Sequence, residues 1–440
     1  MFSKLFGFSD ERNFVKWTKD LNFGCRTTQT LKAVSLPTPK QVRIHMDQHE
    51  EVSCIPIVEK GDEVKIGQVI AKSNELPTTF IHASVSGKVT KIGDVLSING
   101  IKTKEIIIDV DEIQDIDPNI KPPLIHDQQG FVGALEKSGI NELNTTRFLS
   151  ATKTNENSID TLLINATLFE PFVVTSIREI LENSNDVLNG MTMLMKHLNV
   201  KEGIIGIEDN QIESIACLQD ILAVESQKYP NISLKTLSSS YPKGSDHLLI
   251  QACKEGLSEN ATLVLNVTTV AALARYLETG MPVINMAITV NGSALNMPKN
   301  VLVPVGTAIK DVLEFCDVSE GSPKKILLGG PVMGISALSE NETISKQTTA
   351  VFAVGKKEAD IGEENECIRC ARCIEICRAN LMPVSIYQSV RYNQVDNLKN
   401  LNLHNCIQCG SCSFICPANR HLTQTIKLGK SLLTNEREGS

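Results

Sequence analysis

The chain has 440 residues, of which 42% are hydrophobic and 4% aromatic, and its formal net charge is −8. That length allows several domains with apolar cores, whereas so few aromatic side chains argue against a surface that stacks on bases or sugars. The acidic balance, without a basic run, argues against a nucleic-acid partner. Residues 1–12 contain no apolar segment before a cleavage site, and the apolar stretch 262–274 is too short for a membrane span. The sequence therefore predicts a cytoplasmic protein.

The first part of the chain predicts an irregular arm, 1–30, followed by a small β-rich domain, 31–110. Short β-branched runs and glycine turns in segments 59–70 and 82–89 indicate a sandwich, and they are similar to the barrel-sandwich hybrid of lipoyl-type domains. In carrier domains of that type, one lysine of the domain is modified. Lys88 has no flanking apolar or acidic partners of the expected kind, so we interpret it as a solvated turn lysine.

An acidic linker with prolines, 111–125, leads into a region that alternates apolar strands with helical patterns. This alternation over residues 126–280 predicts an α/β domain with a parallel sheet. The predicted strands are 161–165 and 203–207, and the predicted helices are 173–198 and 210–228.

Residues 281–340 predict a compact β-grasp domain with a helix over residues 308–315. The glycine-rich stretch 329–334 predicts a turn-rich loop at its end. We interpret this loop as a structural turn and not as a nucleotide-binding loop, because no G-x-G-x-x-G sequence follows a predicted strand.

The last quarter of the chain contains eight cysteines in two runs of identical spacing. The runs are Cys367, Cys370, Cys373 and Cys377, and then Cys406, Cys409, Cys412 and Cys416. The spacing C-x2-C-x2-C-x3-C is that of two-cluster bacterial ferredoxins, in which three thiolates of one run and the fourth of the other hold each [4Fe–4S] cluster. We therefore assign Cys367, Cys370, Cys373 and Cys416 to one cluster, and Cys406, Cys409, Cys412 and Cys377 to the other.

Disulfides and zinc are the other uses of such cysteines, and the pattern disfavours both. Disulfides do not require two copies of one spacing, and zinc sites need two short C-x-x-C arms. The stretch between the runs is long enough for two short helices, and Pro383 suits the first position of one of them. Residues 355–430 are therefore predicted to form an α-helical module with two clusters, in which Arg378 replaces the usual proline after the fourth cysteine.

The remaining cysteines and histidines form no recognisable site. The cysteines without ligand spacing are interpreted as small buried apolar side chains; they are Cys25, Cys54, Cys217, Cys253 and Cys316. The isolated histidines are predicted to be surface or hydrogen-bonded side chains; they are His82, His126, His247, His404 and His421. No catalytic residue is predicted, although a charge on His404 or His421 could tune the potential of a cluster.

Five sequence segments accompany the cysteine runs in a definite order. They are IHASVSGKV at 81–89, GIEDN at 206–210, TVNGSALNMP at 289–298, GGPVMG at 329–334 and LNLHNCIQCG at 401–410. Together with the cysteines, they resemble the C subunit family of the Rnf ion-translocating ferredoxin:NAD oxidoreductase complexes. The resemblance covers residues 31–430.

This resemblance implies a multidomain fold of mixed α+β and α/β class. Its parts would be a barrel-sandwich hybrid, an α/β domain like the flavin-binding subunit of respiratory complex I, a β-grasp domain of the soluble-ligand-binding (SLBB) type, and an α-helical two-cluster ferredoxin module. In typical members the α/β domain binds FMN and NADH, and electrons pass through the two [4Fe–4S] clusters to or from membrane-bound partners.

The flavin and NADH site is where this chain departs from the family. The family's loop GIVGxGGAGFPT corresponds to residues 139–150. The glycine positions hold Glu142, Asn144, Thr145 and Arg147, and the proline position holds Leu149. Glycines there would allow positive φ and a close approach of backbone N–H groups to phosphate, which Glu142 would repel. Three further segments lose site-like residues, at Leu168, His247 and Thr268, so we predict that the FMN and NADH pocket has been lost.

Three functions remain open at this point. The first is an electron-transfer subunit that relays single electrons through two [4Fe–4S] clusters without a flavin of its own. The second is an ordinary FMN- and NADH-binding C subunit of a membrane complex. The third is an electron feeder of a soluble reductase, of the proline-reductase-associated or cobalamin-reducing type. Expected partners are other electron-transfer subunits, membrane-embedded Rnf-type subunits or a ferredoxin, which would hold the protein on the inner face of the cell membrane.

Overall fold

The structure is a computed structural model. It describes residues 28–49, 52–74, 78–98, 100, 102–144, 148, 159–168, 170–253, 257–319, 323–360 and 362–438. The arm predicted over residues 1–30 therefore lies almost wholly outside the described residues. Within these ranges the strands form four sheets, and a helical unit follows them.

Two small antiparallel sheets enclose one apolar core in the first part of the chain. One sheet consists of β2 (Gln41–His45), β4 (Glu63–Val64), β7 (Gly87–Leu96) and β8 (Lys102–Val110), and the other of β3 (Ile55–Pro56), β5 (Val69–Lys72) and β6 (Phe80–His82). Alternate residues of β2 are buried, so Val42 and Ile44 face the core. Lys88 lies exposed on strand β7, opposite Glu63 and Asp109. Lys88 is therefore exposed as predicted, but it lies on a strand and not in the predicted turn.

A four-stranded parallel sheet forms the centre of the α/β unit. Its strands, in the order β11-β10-β9-β12, are β9 (Thr161–Ala166), β10 (Glu202–Glu208), β11 (Ile232–Leu237) and β12 (Thr262–Asn266). The helices are α1 (Gln128–Lys137), α2 (Thr175–Leu198), α3 (Ile212–Val224), α4 (Asp246–Cys253) and α5 (Val267–Thr279), with a 3-10 turn at Glu142–Asn144 and another at Glu259–Ala261.

Helices cover both faces of this parallel sheet. Leu162 and Ile164 belong to the core that contains residues of α2 and α5, whereas Leu163 belongs to the core beneath α4. Strand β9 is consequently buried along its whole length, which explains its continuous apolar sequence. The carboxyl ends of all four strands meet at one edge of the sheet.

A six-stranded mixed sheet draws its strands from separated parts of the chain. They are β1 (Ala33–Ser35), β13 (Asn285–Asn291), β14 (Lys299–Pro304), β15 (Lys325–Leu328), β16 (Ile335–Ser336) and β17 (Ala350–Val354), in the order β1-β14-β13-β17-β15-β16. Helix α6 (Ile309–Phe315) packs its buried residues into the same core. Because β1 pairs with β14 and β17 lies between β13 and β15, the sheet extends past the predicted limits of 281 and 340.

The last unit is helical. It contains α7 (Lys356–Ala359), α8 (Arg372–Glu375), α9 (Pro383–Arg391), α10 (Val395–Asn400), α11 (Ser411–Phe414) and α12 (Leu422–Glu438), with a 3-10 turn at Leu403–Asn405. Ile386 on α9, Leu398 on α10 and Ile426 on α12 share an apolar core. Among the described helices, none combines the length and the apolar composition that a membrane span requires.

Candidate functional site

The two cysteine segments, 367–377 and 406–416, share one backbone conformation. Two residues between the first three cysteines of each segment adopt left-handed φ values of 55° to 75°. They are Arg369 and Ala371 in the first segment, and Gln408 and Gly410 in the second. A one-turn helix, α8 or α11, then carries the third cysteine. These left-handed turns curl the chain back on itself and bring the three cysteines of each loop together.

The second cysteine segment closes around a small cavity that Cys377 of the first segment also lines. The cysteines at its wall are Cys377, Cys406, Cys409 and Cys412. Burial raises the pKa of the Cys412 thiol to about 12, and the other three cysteines of the cavity contribute to the shift. Two backbone N–H groups donate to sulfur at 3.4 Å, Gln408 to Cys406 Sγ and Leu381 to Cys377 Sγ.

The other four cysteines form a more open group. Burial raises the pKa of Cys373, and the nearby thiols of Cys370, Cys416 and Cys367 raise it further. Cys416 of the second segment thus lies beside the first three cysteines of the first segment. Cys367 and Cys370 are exposed, whereas all four cysteines of the cavity are at least half-buried.

The structure therefore brings the eight cysteines together in the two sets that the spacing predicts. In the described part of the chain, no three His, Cys, Asp or Glu side chains surround a point that would suit a single metal ion. A [4Fe–4S] cluster is a larger object, because each thiolate binds a different iron atom. Four thiolates, the apolar side chains of Leu381 and Ile426 in the cavity wall, and N–H groups that donate to sulfur fit such a cluster.

The loop of residues 329–334 connects β15 to β16 and binds a buried carboxylate. The N–H groups of Gly330, Val332 and Met333 donate to Glu170 at 2.5–2.8 Å. Burial raises the pKa of Glu170, while these donors lower it. A Cβ on Gly330 would lie 2.2 Å from the carboxyl carbon of Glu170, so a larger residue there would have to displace the carboxylate from these donors.

The second cysteine segment contacts the carboxyl edge of the parallel sheet and the 329–334 loop. The hydroxyl of Tyr241 donates to the carbonyl of Cys409 at 2.6 Å. Burial raises the pKa of Tyr241 far above its usual value, so the phenol stays protonated and remains a donor. Gly410 lies against Val332, whose Cγ1 would be 2.6 Å from a Cβ at that position. Sequence reasoning did not foresee these contacts, because no local pattern connects residues so far apart in the chain.

Glu142 lies at the amino-terminal end of helix α5. Its carboxylate accepts hydrogen bonds from the N–H and the side-chain amide of Asn266, at 3.2 and 3.3 Å, and from the hydroxyl of Thr269. Asn266 is the residue that precedes α5. Burial raises the pKa of Glu142, while the Thr269 and Asn266 donors lower it. A helix terminus of this kind, at the carboxyl edge of a parallel sheet, is a usual position for a phosphate.

The rest of the predicted nucleotide loop is described only in part. Thr145, Thr146, Arg147, Leu149 and Ser150 lie outside the described residues. Of the other three departures, Leu168 and Thr268 are half-buried. His247 is exposed on α4, where its Nδ1 contacts the carboxylate of Glu259.

Polar side chains elsewhere along the carboxyl edge bind one another. Asn165 donates to the carbonyl of Gly244 at 2.9 Å and accepts from the N–H and the hydroxyl of Thr167. Gln211 donates to the carbonyl of Ala166 at 3.2 Å. These polar groups of the sheet edge are thus held by neighbours within the chain.

Glu208, at the end of β10, gives the fold a testable pH dependence. Burial raises its pKa to about 7, against the lowering effect of Lys243 and the hydrogen bond from Gln211. The folded protein therefore binds a proton that the unfolded chain releases between about pH 4.5 and 7, so stability falls as the pH rises through that window. Between pH 5 and 8, we expect the free energy of unfolding to fall by about 1–3 kcal/mol less in Glu208→Gln than in wild type, as measured by anaerobic urea unfolding. Glu202→Gln, at the other end of β10, serves as the control and should keep the wild-type slope.

The remaining sequence predictions have mixed outcomes. Cys54, Cys253 and Cys316 are buried as predicted, Cys217 is half-buried, and Cys25 lies outside the described residues. His404 is exposed, and His421 is half-buried with its backbone N–H donating to Glu364. The prediction for His82 was wrong, since this side chain is buried and its Nδ1 has no hydrogen-bond partner among the described residues. It packs beside Lys346 Nζ, which donates to the carbonyl of Gly139.

Two family models match the chain and define its class. Residues 24–113 match the RnfC barrel sandwich hybrid domain, and residues 135–275 match the Nuo51 FMN-binding domain. These matches confirm the predicted barrel-sandwich hybrid and the flavin-domain type of α/β fold. The chain is therefore built as a subunit of an electron-transporting oxidoreductase complex.

Curated relatives identify the family to which the chain belongs. It is 34% identical over 360 residues to the C subunit of the proton-translocating ferredoxin:NAD(+) oxidoreductase complex of Clostridium ljungdahlii, covering 79% of this chain and 78% of the relative. It is 30% identical over 418 residues to the C subunit of the Na(+)-translocating complex of Acetobacterium woodii, covering 91% and 93%. The chain belongs to the family of Rnf complex C subunits. A crystal structure of an NAD+-reducing [NiFe]-hydrogenase is 14% identical with a TM-score of 0.47, over 69% of this chain and 63% of that one, and adds nothing to this assignment.

Proposed function

We propose that this chain is an iron–sulfur electron-transfer subunit of an Rnf-type complex, with no flavin or NADH site of its own. One [4Fe–4S] cluster would be held by Cys367, Cys370, Cys373 and Cys416, and the other by Cys406, Cys409, Cys412 and Cys377. Such clusters, when bound, supply one-electron transfer. Residues 355–430 would form the two-cluster ferredoxin module, and residues 281–340 the β-grasp part. The partners would be other electron-transfer subunits, including membrane-embedded ones that keep the protein at the inner face of the membrane.

The position of Glu142 is the observation that carries this proposal. A bound FMN needs N–H donors for its phosphate. At the carboxyl edge of the parallel sheet, the amino-terminal end of α5 has such donors. In this chain an anionic side chain of the protein already accepts the hydrogen bonds of Asn266 and Thr269. A second anion at the same donors would face the negative charge of the Glu142 carboxylate at close range. The loss of glycines in the same loop acts in the same direction.

The main alternative is an ordinary C subunit that binds FMN and NADH. The match of residues 135–275 to the Nuo51 FMN-binding domain favours it, as do the two relatives whose names include a ferredoxin:NAD(+) oxidoreductase complex. This alternative requires FMN to displace Glu142 from helix α5 or to place its phosphate elsewhere.

A titration with FMN separates these two functions. The anaerobically purified protein is titrated with FMN while flavin fluorescence is followed, since binding in a flavin domain quenches or polarises it. We expect no saturable binding up to about 1 mM FMN, the upper end of ordinary cofactor and substrate affinities. Saturable binding in the micromolar range would contradict the proposal and restore the FMN-binding subunit.

A further inference from the structure

The equivalence of the two cysteine segments allows their surroundings to be compared position by position. Cys370 corresponds to Cys409, Ala371 to Gly410, and Arg372 to Ser411, and the left-handed residues fall at equivalent positions. The two segments share their backbone conformation and their cysteine spacing. A difference in what covers them therefore indicates a difference in function.

The edge of the second segment is covered by the chain itself. The Cys409 carbonyl accepts the hydroxyl of Tyr241, Gly410 packs against Val332, and Ser411 is only 1% exposed. This edge faces the 329–334 loop and the carboxyl end of the parallel sheet. This edge of the second segment thus faces the α/β unit.

The same edge of the first segment is open. Ile368 is 68% exposed, and Arg369, Cys370, Ala371 and Arg372 are all exposed as well. Within the described part of the chain, neither Arg369 nor Arg372 forms an ion pair. An exposed apolar side chain and two guanidinium groups without ion pairs, in the same loop as the exposed Cys367 and Cys370, match the composition of protein-binding surfaces, in which arginine is enriched.

The charge of this edge differs from that of its covered counterpart. Arg369 and Arg372 stand where the second segment has the uncharged Gln408 and Ser411. The carboxylates of the same stretch lie outside residues 368–372; they are Glu363, Glu364, Glu366 and Glu375, and Glu364 accepts from the hydroxyl of Tyr387 and the N–H of His421. The positive groups are therefore the ones that flank Cys370 directly, and they suit acidic side chains of a partner.

We propose that residues 368–372 form the docking surface for an acidic electron-transfer protein, which exchanges electrons with the outer group of cysteines, Cys367, Cys370, Cys373 and Cys416. This inference rests on the proposed function. In each encounter one electron leaves the reduced partner and is gained by this protein, or the reverse, and no proton or bond is transferred.

Stopped-flow kinetics with a defined probe tests this surface. The probe is a purified acidic two-cluster bacterial ferredoxin, reduced in advance, which is mixed with the oxidised protein at increasing ionic strength. We expect the second-order rate constant to fall about tenfold or more between low salt and 0.3 M salt, because opposite charges steer the encounter. The variant Arg369→Glu/Arg372→Glu should lower the low-salt rate at least about tenfold and lose the salt dependence. Lys399→Glu on α10, which reverses one charge elsewhere in the helical unit, should stay within about twofold of wild type.

A second readout does not depend on turnover. An anionic dysprosium chelate should speed the electron-spin relaxation of the dithionite-reduced protein more than a cationic complex does, and the double arginine variant should reverse that order. A double variant that keeps the wild-type rate and relaxation, or a Lys399→Glu variant that is equally slow, would overturn the docking surface. Iron content and dithionite bleaching are measured first on every sample. If wild-type protein holds no iron or does not bleach, it is the proposed function that fails and not the surface.

Discussion

Removing Cys377 and Cys412 together is expected to leave about half of the iron, whereas removing Cys373 and Cys377 together should leave almost none. The reason is the pairing across segments. Cys377 lines the cavity of the second segment together with Cys412, and Cys373 lies with the outer group beside Cys416. With the proposed ligands, the first double variant would take two from one cluster, and the second would take one from each. Alanine is used because serine can replace a thiolate as a ligand.

The two double variants are matched controls for each other, since each removes two cysteines of the same helical unit. Iron and acid-labile sulfide are measured after anaerobic reconstitution, and far-ultraviolet circular dichroism confirms that each variant is folded. Cys217→Ala, a half-buried cysteine outside both groups, should keep the full iron content. If clusters were instead bound within single segments, the order would be reversed, and Cys373→Ala/Cys377→Ala would be the variant that keeps half of the iron.

Replacing Glu142 with alanine is expected to destabilise the fold and to create an anion site. The substitution leaves the N–H of Asn266 and the hydroxyl of Thr269 without their acceptor at the amino-terminal end of α5. Losing an acceptor at partly buried donors costs about 1–3 kcal/mol. Inorganic phosphate should then bind at the vacated helix terminus and recover part of that loss, because ligands that bind only the folded state stabilise it.

Thermal unfolding with and without inorganic phosphate measures this effect. Phosphate also stabilises proteins nonspecifically, so the informative quantity is the extra shift of Glu142→Ala over wild type. Glu142→Gln keeps an oxygen acceptor and should lie between the two in stability. Glu259→Ala, which removes a carboxylate of the same α/β unit that contacts His247, should respond to phosphate as wild type does. An equal response of Glu142→Ala and wild type would mean that the helix terminus is not a phosphate position.

Local chemistry made the cysteines and the main strands predictable. Ligand spacing around a cluster is set within a dozen residues, so the two runs could be recognised directly, and their cross-pairing is proposed from the same spacing. Strand β9 was predicted because both faces of a parallel strand are buried, which leaves a continuous apolar sequence. The position of Pro383 at the start of α9 likewise follows from the fixed φ of proline.

Contacts between distant parts of the chain were not predictable. Glu142 and Asn266 are 124 residues apart, and Tyr241 and Cys409 are 168 apart, so no periodicity or spacing connects them. The sequence indicated that Glu142 is unfavourable for phosphate, but not that it would take the hydrogen bonds of helix α5. In the same way, the pairing of β1 with β14 depends on the tertiary arrangement of two separate units.

The most direct test of a two-cluster subunit without flavin is the visible absorbance of the reconstituted protein under anaerobic conditions, together with an assay of released flavin. We expect no FMN, no change on addition of NADH, and full bleaching of the iron–sulfur band by dithionite. That result leaves a two-cluster relay whose electron donor is another protein. Bound FMN and bleaching by NADH would contradict it, and would make this chain the NADH-oxidising subunit of its complex.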